Sequence, residues 1–332
     1  MSEFLNVLAI SGKAFFGFQA IFFALMAIGL NVHFGYTGLL NFGQIGFAML
    51  GGFGIAISVT TWGLPFLAGV LVGVAWAVLF ALLLGLPTLR LRADYLAIVT
   101  IAAAEILRLA FRSVSATDIT GGSSGLSGFN RAFYAAAPFS TTQRVDILGA
   151  RWSGAELWVA LVGWTLVALL CLLVWLLMRS PWGRVVKAIR EDEDAARSLG
   201  KNVYAYKMQS LILGGIFGGF GGMVYVVATG AANPDQFQSA NTFLAYAALI
   251  LGGTARVLGP VIGSMIFWFL LQFTDSGFRT LISTGVIPSE LLSSTDVAQI
   301  RFVLVGVGLM ALLIFRPQGI FGDRREVMLD AR

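Results

Sequence analysis

The sequence predicts an all-α protein that crosses a lipid bilayer about eight to ten times. Hydrophobic residues make up 58% of the 332 residues and charged residues only 12%, whereas soluble domains are about a quarter charged. The apolar residues also fall in long runs, five of which have at least 20 residues and no Asp, Glu, Lys or Arg. Because about 20 apolar residues in a helix span the hydrocarbon core, these runs predict a polytopic membrane protein.

Nine apolar segments are predicted to be membrane spans, and two stretches between them are too polar for the hydrocarbon core. Residues 112–156 are rich in Gly, Ser, Thr and Ala, and residues 180–207 are rich in charge. We expect a single membrane domain over residues 1–322 and a tail at 323–332. In chain order the predicted spans are 14–34, 39–59, 65–86, 95–111, 157–178, 208–227, 243–258, 261–273 and 297–315.

Three basic clusters predict how the chain is oriented in the membrane. Two spans separate the first cluster from the second and four separate the second from the third, so all three lie on one side. Short loops rich in Lys and Arg stay in the cytoplasm, which places residues 180–207 and the C-terminus inside and residues 112–156 outside. The formal charge of +5 therefore bears on topology and not on nucleic acid. The clusters are Arg90 with Arg92, residues 180–207, and Arg316 with Arg324 and Arg325.

Two glycine clusters predict broken or re-entrant segments. Residues 35–46 mix glycine with Asn41 and Gln44, and residues 252–260 interrupt two spans that are shorter than a bilayer requires. Irregular backbone at membrane depth is tolerated only where it faces protein or a water-filled cavity, and paired interruptions point to a transport path. Asn41, Gly43 and Gln44 are therefore candidate path residues. The alternative is that both clusters are tight turns at the membrane surface.

The fourth span carries an acid and a base near its middle. Glu105 and Arg108 lie three residues apart on one helix face, and Glu105 is about 16 Å beyond Asp94 at 1.5 Å per residue. Charges inside membranes pair with one another or face a cavity, so the two form either a structural ion pair or part of a gate. Thr100 of the same span is a candidate path residue, unless its hydroxyl only bridges helices.

Glycines spaced four residues apart in the sixth span predict close helix packing. Gly214, Gly218 and Gly222 form a small-residue face on which a second membrane helix can approach backbone to backbone. The second helix belongs either to the same chain or to a second subunit.

Residues 180–207 are predicted to form two short helices at an angle. Ser180 and Pro181 are a helix start, because serine caps free amides and proline fits the first helical position. Asp192 or Asp194 caps a second helix that runs to Leu199, and Gly200 ends it in the left-handed conformation. Such a projecting helix suits binding in the groove of a soluble partner. The alternative is a solvated connector without a partner.

The chain has few residues for metal or nucleotide chemistry. One cysteine, Cys171, and one histidine, His33, give no thiol site and no predicted metal site. The phosphate-binding pattern G-x-x-x-x-G-K-[ST] is also missing, because Val7 precedes Gly12-Lys13 and Ala195 precedes Gly200-Lys201 where the first glycine is required. The chain is therefore predicted to be no enzyme, and any ATP hydrolysis is expected on another chain.

Several short motifs, in this order, resemble the permease subunits of branched-chain amino acid ABC importers, LivH/LivM-type and closest to the LivM type. The resemblance covers about residues 30–321. Asp194 stands where the family's EAA-x-x-x-G coupling motif has Glu. The motifs are GYTGLLNFGQ at 35–44, LRLRADYLAIVT at 89–100, EILRL at 105–109, TGGSSGL at 120–126, DAARSLG at 194–200 and RPQGIFG at 316–322.

The resemblance implies a multi-pass subunit of a bacterial inner membrane. Its implied partners are a second, paralogous permease, two ATPase subunits that hold ATP and Mg²⁺, and an extracytoplasmic substrate-binding protein. No cofactor is expected on this chain. Coupling to the ATPase is assigned by this likeness to Arg190, Glu191, Asp192, Glu193, Asp194, Ala195, Ala196 and Gly200.

The expected function is ATP-driven import of branched-chain or similar hydrophobic amino acids. Urea, short amides or another small polar solute on the same scaffold is one alternative. A self-sufficient secondary transporter or channel is another, although few acids lie within the spans to couple transport to an ion gradient.

Overall fold

The computed structural model describes residues 2–90, 93–147, 149–284, 294–316 and 318–322. Helices dominate these residues, and each strand has only two to four residues, which confirms the all-α membrane fold. Arg92 and the predicted tail at 323–332 lie outside the described residues. Five helical stretches within the described part are long and apolar enough to cross a membrane, namely Phe4–Tyr36, Phe66–Thr88, Gly154–Arg179, Val203–Thr229 and Gly259–Ser283.

The helices follow one another with short connections, apart from the long stretch between the fifth and the eighth. Two antiparallel strand pairs lie among them, β1 (Leu126–Ser127) with β4 (Ala231–Ala232) and β2 (Arg144–Ile147) with β3 (Ala150–Ser153). The helices are α1 (Ser2–Phe16), α2 (Phe18–Leu30), α3 (Gln44–Thr60), α4 (Phe66–Thr88), α5 (Ala93–Arg112), α6 (Thr117–Thr120), α7 (Arg131–Ala135), α8 (Gly154–Arg179), α9 (Pro181–Glu191), α10 (Glu193–Ser198), α11 (Val203–Thr229), α12 (Ala240–Gly252), α13 (Gly259–Ser283) and α14 (Ser294–Phe315).

The centre of the bundle is α2, which packs against α8, α11, α12 and α13. All its residues from Ala20 to Leu30 are buried. A π-helical turn, Asn31–Tyr36, extends the helix at its C-terminal end. The first predicted span, 14–34, is thus too short at both ends. The π-helical turn extends it to Tyr36, and α1 continues the helical path towards the N-terminus beyond a bend at Gly17.

Small residues allow α11 to cross α2 and α3 at close range. A Cβ atom added to Gly222 would overlap the backbone of Ala48 in α3, and one added to Gly214 would overlap the side chain of His33. Gly218 likewise lies against the amide group of Gln44. The structure thus places the predicted glycine face against helices of the same chain.

The seventh and eighth predicted spans differ in length. α12 has 13 residues, or about 20 Å at 1.5 Å per residue, which is short of a 30 Å hydrocarbon core. The eighth span, predicted as 261–273, is wrong because α13 continues to Ser283 and has 25 residues. Its helix passes Asp275, whose carboxylate binds Arg279 at 2.8 Å and Arg301 at 3.3 Å.

The described basic clusters lie at one end of the bundle, here called the basic end. The guanidinium of Arg90 lies 5.7 Å from the ring of Tyr204, which joins the α4–α5 connection to the start of α11. At this end the backbone of Ile320 also binds the carbonyl of Leu251 at 3.0 Å. The β1–β4 pair and the β2–β3 hairpin lie at the opposite end.

Candidate coupling segment and transport path

The irregular segment 37–43 between the π-helical turn and α3 lies mostly inside the protein. Thr37 is 2% exposed and Asn41 is fully buried, so the segment is not a tight turn at the membrane surface. The N–H groups of Gly38 and Leu39 bind carbonyls of the preceding turn, and other backbone groups in this region bind side chains of distant helices. Phe42 donates its N–H to Thr100 Oγ1 at 3.0 Å, and Ile45, at the start of α3, donates its N–H to Thr242 Oγ1 at 3.1 Å.

One hydroxyl serves both backbone groups of Asn41. Tyr246 Oη accepts the Asn41 N–H at 3.2 Å and donates to the Asn41 carbonyl at 3.1 Å. Tyr246 lies in α12 and Thr100 in α5, so two helices distant in sequence hold this segment. The arrangement meets the requirement that irregular backbone within a membrane protein be paired with protein groups.

A chain of buried polar side chains links segment 37–43 to α11. Asn41 Nδ2 lies 3.2 Å from His33 Nδ1 and donates to Gln44 Oε1 at 3.0 Å. Gln44 Nε2 donates in turn to the Gly214 carbonyl at 2.8 Å, and His33 Nε2 lies 3.2 Å from the Leu211 carbonyl. Since Gly214 has no side chain, the amide group of Gln44 reaches the α11 backbone directly.

The predicted path residues fall into two groups in this conformation. Asn41, Gln44 and Thr100 are fully buried, and their hydrogen bonds go to groups of this chain. Gly43 is buried too, because an added Cβ would overlap the Thr100 backbone. Glu105 is the exception, since 39% of its side chain is exposed. Their role in transport stays a prediction.

Glu105 and Arg108 form an ion pair that includes a residue of a distant connection. Arg108 Nε lies 3.1 Å from both carboxylate oxygens of Glu105, and its Nη1 lies 2.8 Å from Asp235 Oδ1. Ser239 Oγ adds a contact of 3.4 Å to Glu105. Asp235 belongs to the 3₁₀ turn Pro234–Gln236 before α12. No local sequence signal pairs residues 127 positions apart, so Asp235 was not predicted.

The coupling segment, residues 180–200, contains the two predicted helices. Ser180 Oγ accepts the Gly183 N–H at 3.5 Å at the start of α9. Asp192 Oδ1 accepts the Ala195 N–H at 2.9 Å at the start of α10, and Gly200 ends that helix with a φ of 76°. The capping residues that the sequence indicated are therefore those in the structure, and α10 ends at Ser198, one residue before Leu199.

The two alanines of the coupling segment face different ways. Ala196 is 4% exposed and packs with Ile189 and Val203, so it joins α10 to the rest of the chain. Ala195 is exposed, and Leu199 is exposed by 80%. Asp194 and Glu191 are exposed as well. A surface with one large apolar side chain, a small residue and acids is thus open to a partner.

Arg190 and Glu193 are directed towards this chain. Arg190 Nη1 donates to the Gly35 carbonyl at 2.6 Å, and the adjacent Lys187 ammonium lies 5.8 Å from the Tyr36 ring. The last carbonyls of a helix have no partner within it, so Arg190 caps the π-helical turn. Glu193 binds Lys207 and Arg197. Sequence reasoning assigned Arg190 to the partner surface and gave no signal for its contact with Gly35.

Comparison with known proteins agrees with this architecture. A family model described as "Branched-chain amino acid transport system / permease component" matches residues 14–313. The high-affinity branched-chain amino acid transport system permease protein LivM of Escherichia coli (strain K12) is 29% identical, over 90% of this chain and 67% of its own length. The probable branched-chain amino acid transport permease protein LivM of Methanocaldococcus jannaschii is 24% identical, over 90% of each chain.

A shorter match is to a permease whose name gives a different transported molecule. The autoinducer 2 import system permease protein LsrC of Photorhabdus laumondii is 30% identical, but only over 38% of this chain. The match to the family model covers both the coupling segment and segment 37–43. The chain belongs to the family of branched-chain amino acid transport system permease components.

Proposed function

We propose that this chain is the permease subunit of an ABC importer and carries branched-chain amino acids across the bacterial inner membrane. The observation that carries the proposal is the coupling segment, in which α9 anchors through Arg190 on the π-helical turn that precedes segment 37–43, while α10 presents Asp194, Ala195 and Leu199 outward. A helix presented in this way suits docking in a groove of a soluble partner.

The proposed partners follow from the two ends of the bundle. Two ATPase subunits dock on the basic end, where residues 180–207 and the C-terminus then lie in the cytoplasm. They hold ATP and Mg²⁺. A substrate-binding protein docks at the opposite end, and a second, paralogous permease completes the membrane part. The family and the lack of a phosphate-binding motif on this chain support this division of labour.

In the proposed mechanism, closure of the ATPases moves α10, and α9 transmits the movement to segment 37–43. The segment then opens or closes a polar path for a zwitterion to which Asn41, Gly43, Gln44, Thr100 and Glu105 contribute. A binding protein that selects the amino acid leaves the membrane path free to hold it only weakly.

Reconstitution of the complete assembly tests the function. Proteoliposomes that hold this chain, its partner permease and the ATPases, with the binding protein added outside, are expected to accumulate labelled leucine only when ATP is inside. Uptake by this chain alone, without ATP, would show a secondary transporter or channel instead. ATP-dependent uptake of labelled urea in preference to leucine would support an ABC importer but contradict the proposed substrate.

A further inference from the structure

A cavity of about 620 Å³ with charged side chains in its wall lies at the opposite end, far from the coupling segment and segment 37–43. It is bounded by the bend between α1 and α2, the start of α8 and the β2–β3 hairpin. Lys13, Arg144 and Arg151 line it, together with Glu156. Three cations thus surround one carboxylate.

The ion pairs of the cavity leave one cation uncompensated. Lys13 Nζ binds Glu156 Oε1 at 2.8 Å, and Arg151 Nε lies 3.9 Å from Asp146 Oδ1. Arg144 makes no ion pair with any residue that the structure describes. Since the Arg144 guanidinium has no acidic partner among these residues, the cavity is suited to a ligand with one negative charge.

An apolar cleft of about 790 Å³ adjoins this cavity, and Lys13 and Trp152 line both. The cleft runs between α1 and α8, with Leu5 and Leu161 on its sides. These two leucines are 58% and 53% exposed, so the cleft opens towards the lipid. The Lys13 ammonium lies 5.4 Å from the Trp152 ring, where the apolar and polar parts meet.

We propose that the cavity and the cleft together bind one anionic phospholipid. The phosphodiester lies beside Arg144 and Lys13, and an acyl chain occupies the cleft between α1 and α8. Lys13 is a helix residue whose apolar stem lies in the cleft while its ammonium reaches the polar level, as lysines near helix ends do. A zwitterionic headgroup would bring its own ammonium into a region with surplus positive charge, so the site favours an anionic lipid.

The charge of the site is tested by Arg144→Gln, with Arg131→Gln as the matched control. Arg131 is also an exposed arginine at this end, and it does not line the cavity. The intact complex is reconstituted in vesicles of phosphatidylethanolamine and phosphatidylglycerol at three to one, re-extracted in mild detergent, and its retained lipids are identified by native mass spectrometry. We expect the affinity for phosphatidylglycerol to fall about fivefold in Arg144→Gln, the effect of one basic residue near a lipid headgroup, and to be unchanged in Arg131→Gln.

The acyl chain site is tested by Gly12→Leu, with Gly277→Leu as its control. Both glycines lie within helices, and a Cβ added to either meets no atom within 4 Å, so both positions have room for the first carbon of a side chain. Only Gly12 lines the cleft. Gly12→Leu is expected to displace the retained lipid, whereas Gly277→Leu retains it.

Two results would overturn the proposal. One is that the lipid retained by the wild-type complex has the same three-to-one composition as the vesicles. The other is equal retention of phosphatidylglycerol by Arg144→Gln, Gly12→Leu and their controls. Lipid retention is measured without transport, so a failure here leaves the proposed import function untouched, and a failure of leucine uptake leaves the lipid site untouched.

Discussion

Replacement of Arg190 by glutamine tests whether the coupling segment transmits movement through the hydrogen bond from Arg190 to the Gly35 carbonyl. The Arg190 guanidinium donates to the Gly35 carbonyl at 2.6 Å, and the stem of Arg190 also faces Gly38. A hydrogen bond from a charged group contributes about 1.5–3 kcal/mol. Loss of about 2 kcal/mol of coupling corresponds to about a 30-fold change in an equilibrium.

The assay separates assembly from transmission. In proteoliposomes with the partner subunits, Arg190→Gln is expected to keep the ATPases bound but to lower leucine uptake per ATP hydrolysed by up to about 30-fold. Arg190→Lys keeps a charged donor without the planar fork of arginine, so it restores part of the uptake. Uptake, ATP hydrolysis and co-purification of the ATPases are measured on the same preparations.

The control is Arg184→Gln, which removes an exposed arginine six residues, or about 1.7 turns, earlier on the same helix. It lowers the charge of the segment equally and leaves the contact with Gly35 in place. If Arg190→Gln released the ATPases while the complexes that remain kept normal uptake per ATP, Arg190 would be a docking residue. Arg190 would then not transmit movement to the π-helical turn.

Three further substitutions, the first with a matched control, probe the coupling segment and segment 37–43. Ala196→Leu overpacks the contact with Ile189 and destabilises the coupling segment by about 1–3 kcal/mol, which lowers uptake and raises proteolysis at this segment, whereas Ala195→Leu leaves proteolysis unchanged. Gly200→Val places a branched side chain at a φ of 76°, at a cost of about 1–2 kcal/mol, and is expected to abolish uptake while the melting temperature in detergent stays near wild type. Tyr246→Phe removes the one hydroxyl that serves the Asn41 N–H and carbonyl and costs about 1–3 kcal/mol per unpaired group, so the melting temperature falls. Unchanged proteolysis of Ala196→Leu, normal uptake by Gly200→Val, or an unchanged melting temperature of Tyr246→Phe would contradict the corresponding packing, helix end or pairing.

The coupling segment was predictable because its signals are local. Ser180 and Asp192 cap helices through amides three residues away, and Gly200 ends a helix by its own backbone conformation. Such contacts depend on the order of neighbouring residues, which one sequence contains. The direction of α10 was not predictable in the same way. Ala196 is buried by Val203 and Ile189, and a small-residue pair does not indicate which of its members faces inward.

Segment 37–43 was predicted to be irregular, but the residues that bind it were not predicted. Thr100 and Tyr246, which hold its backbone, are 58 and 205 residues away from the groups they bind. Hydroxyls in membrane spans bridge helices too often to indicate a particular partner. The predicted end of the eighth span was wrong for a related reason. Hydropathy treats Asp275 as an interruption, whereas Arg279 and Arg301 neutralise it and the helix continues.

The buried pairing of segment 37–43 limits how the proposed movement can occur. An unpaired buried polar group costs about 1–3 kcal/mol, so the segment does not slide away from Thr100 and Tyr246 one bond at a time. It either moves together with parts of α5 and α12 or exchanges its partners for water as a path opens. α12 is the shorter helix, with 13 residues, and it ends at a connection that binds Asn31 through the Ala255 amide at 2.8 Å. Arg190 also contacts the π-helical turn Asn31–Tyr36. A displacement of α9 therefore reaches both segment 37–43, which follows this turn, and the connection after α12, which binds Asn31 of the same turn.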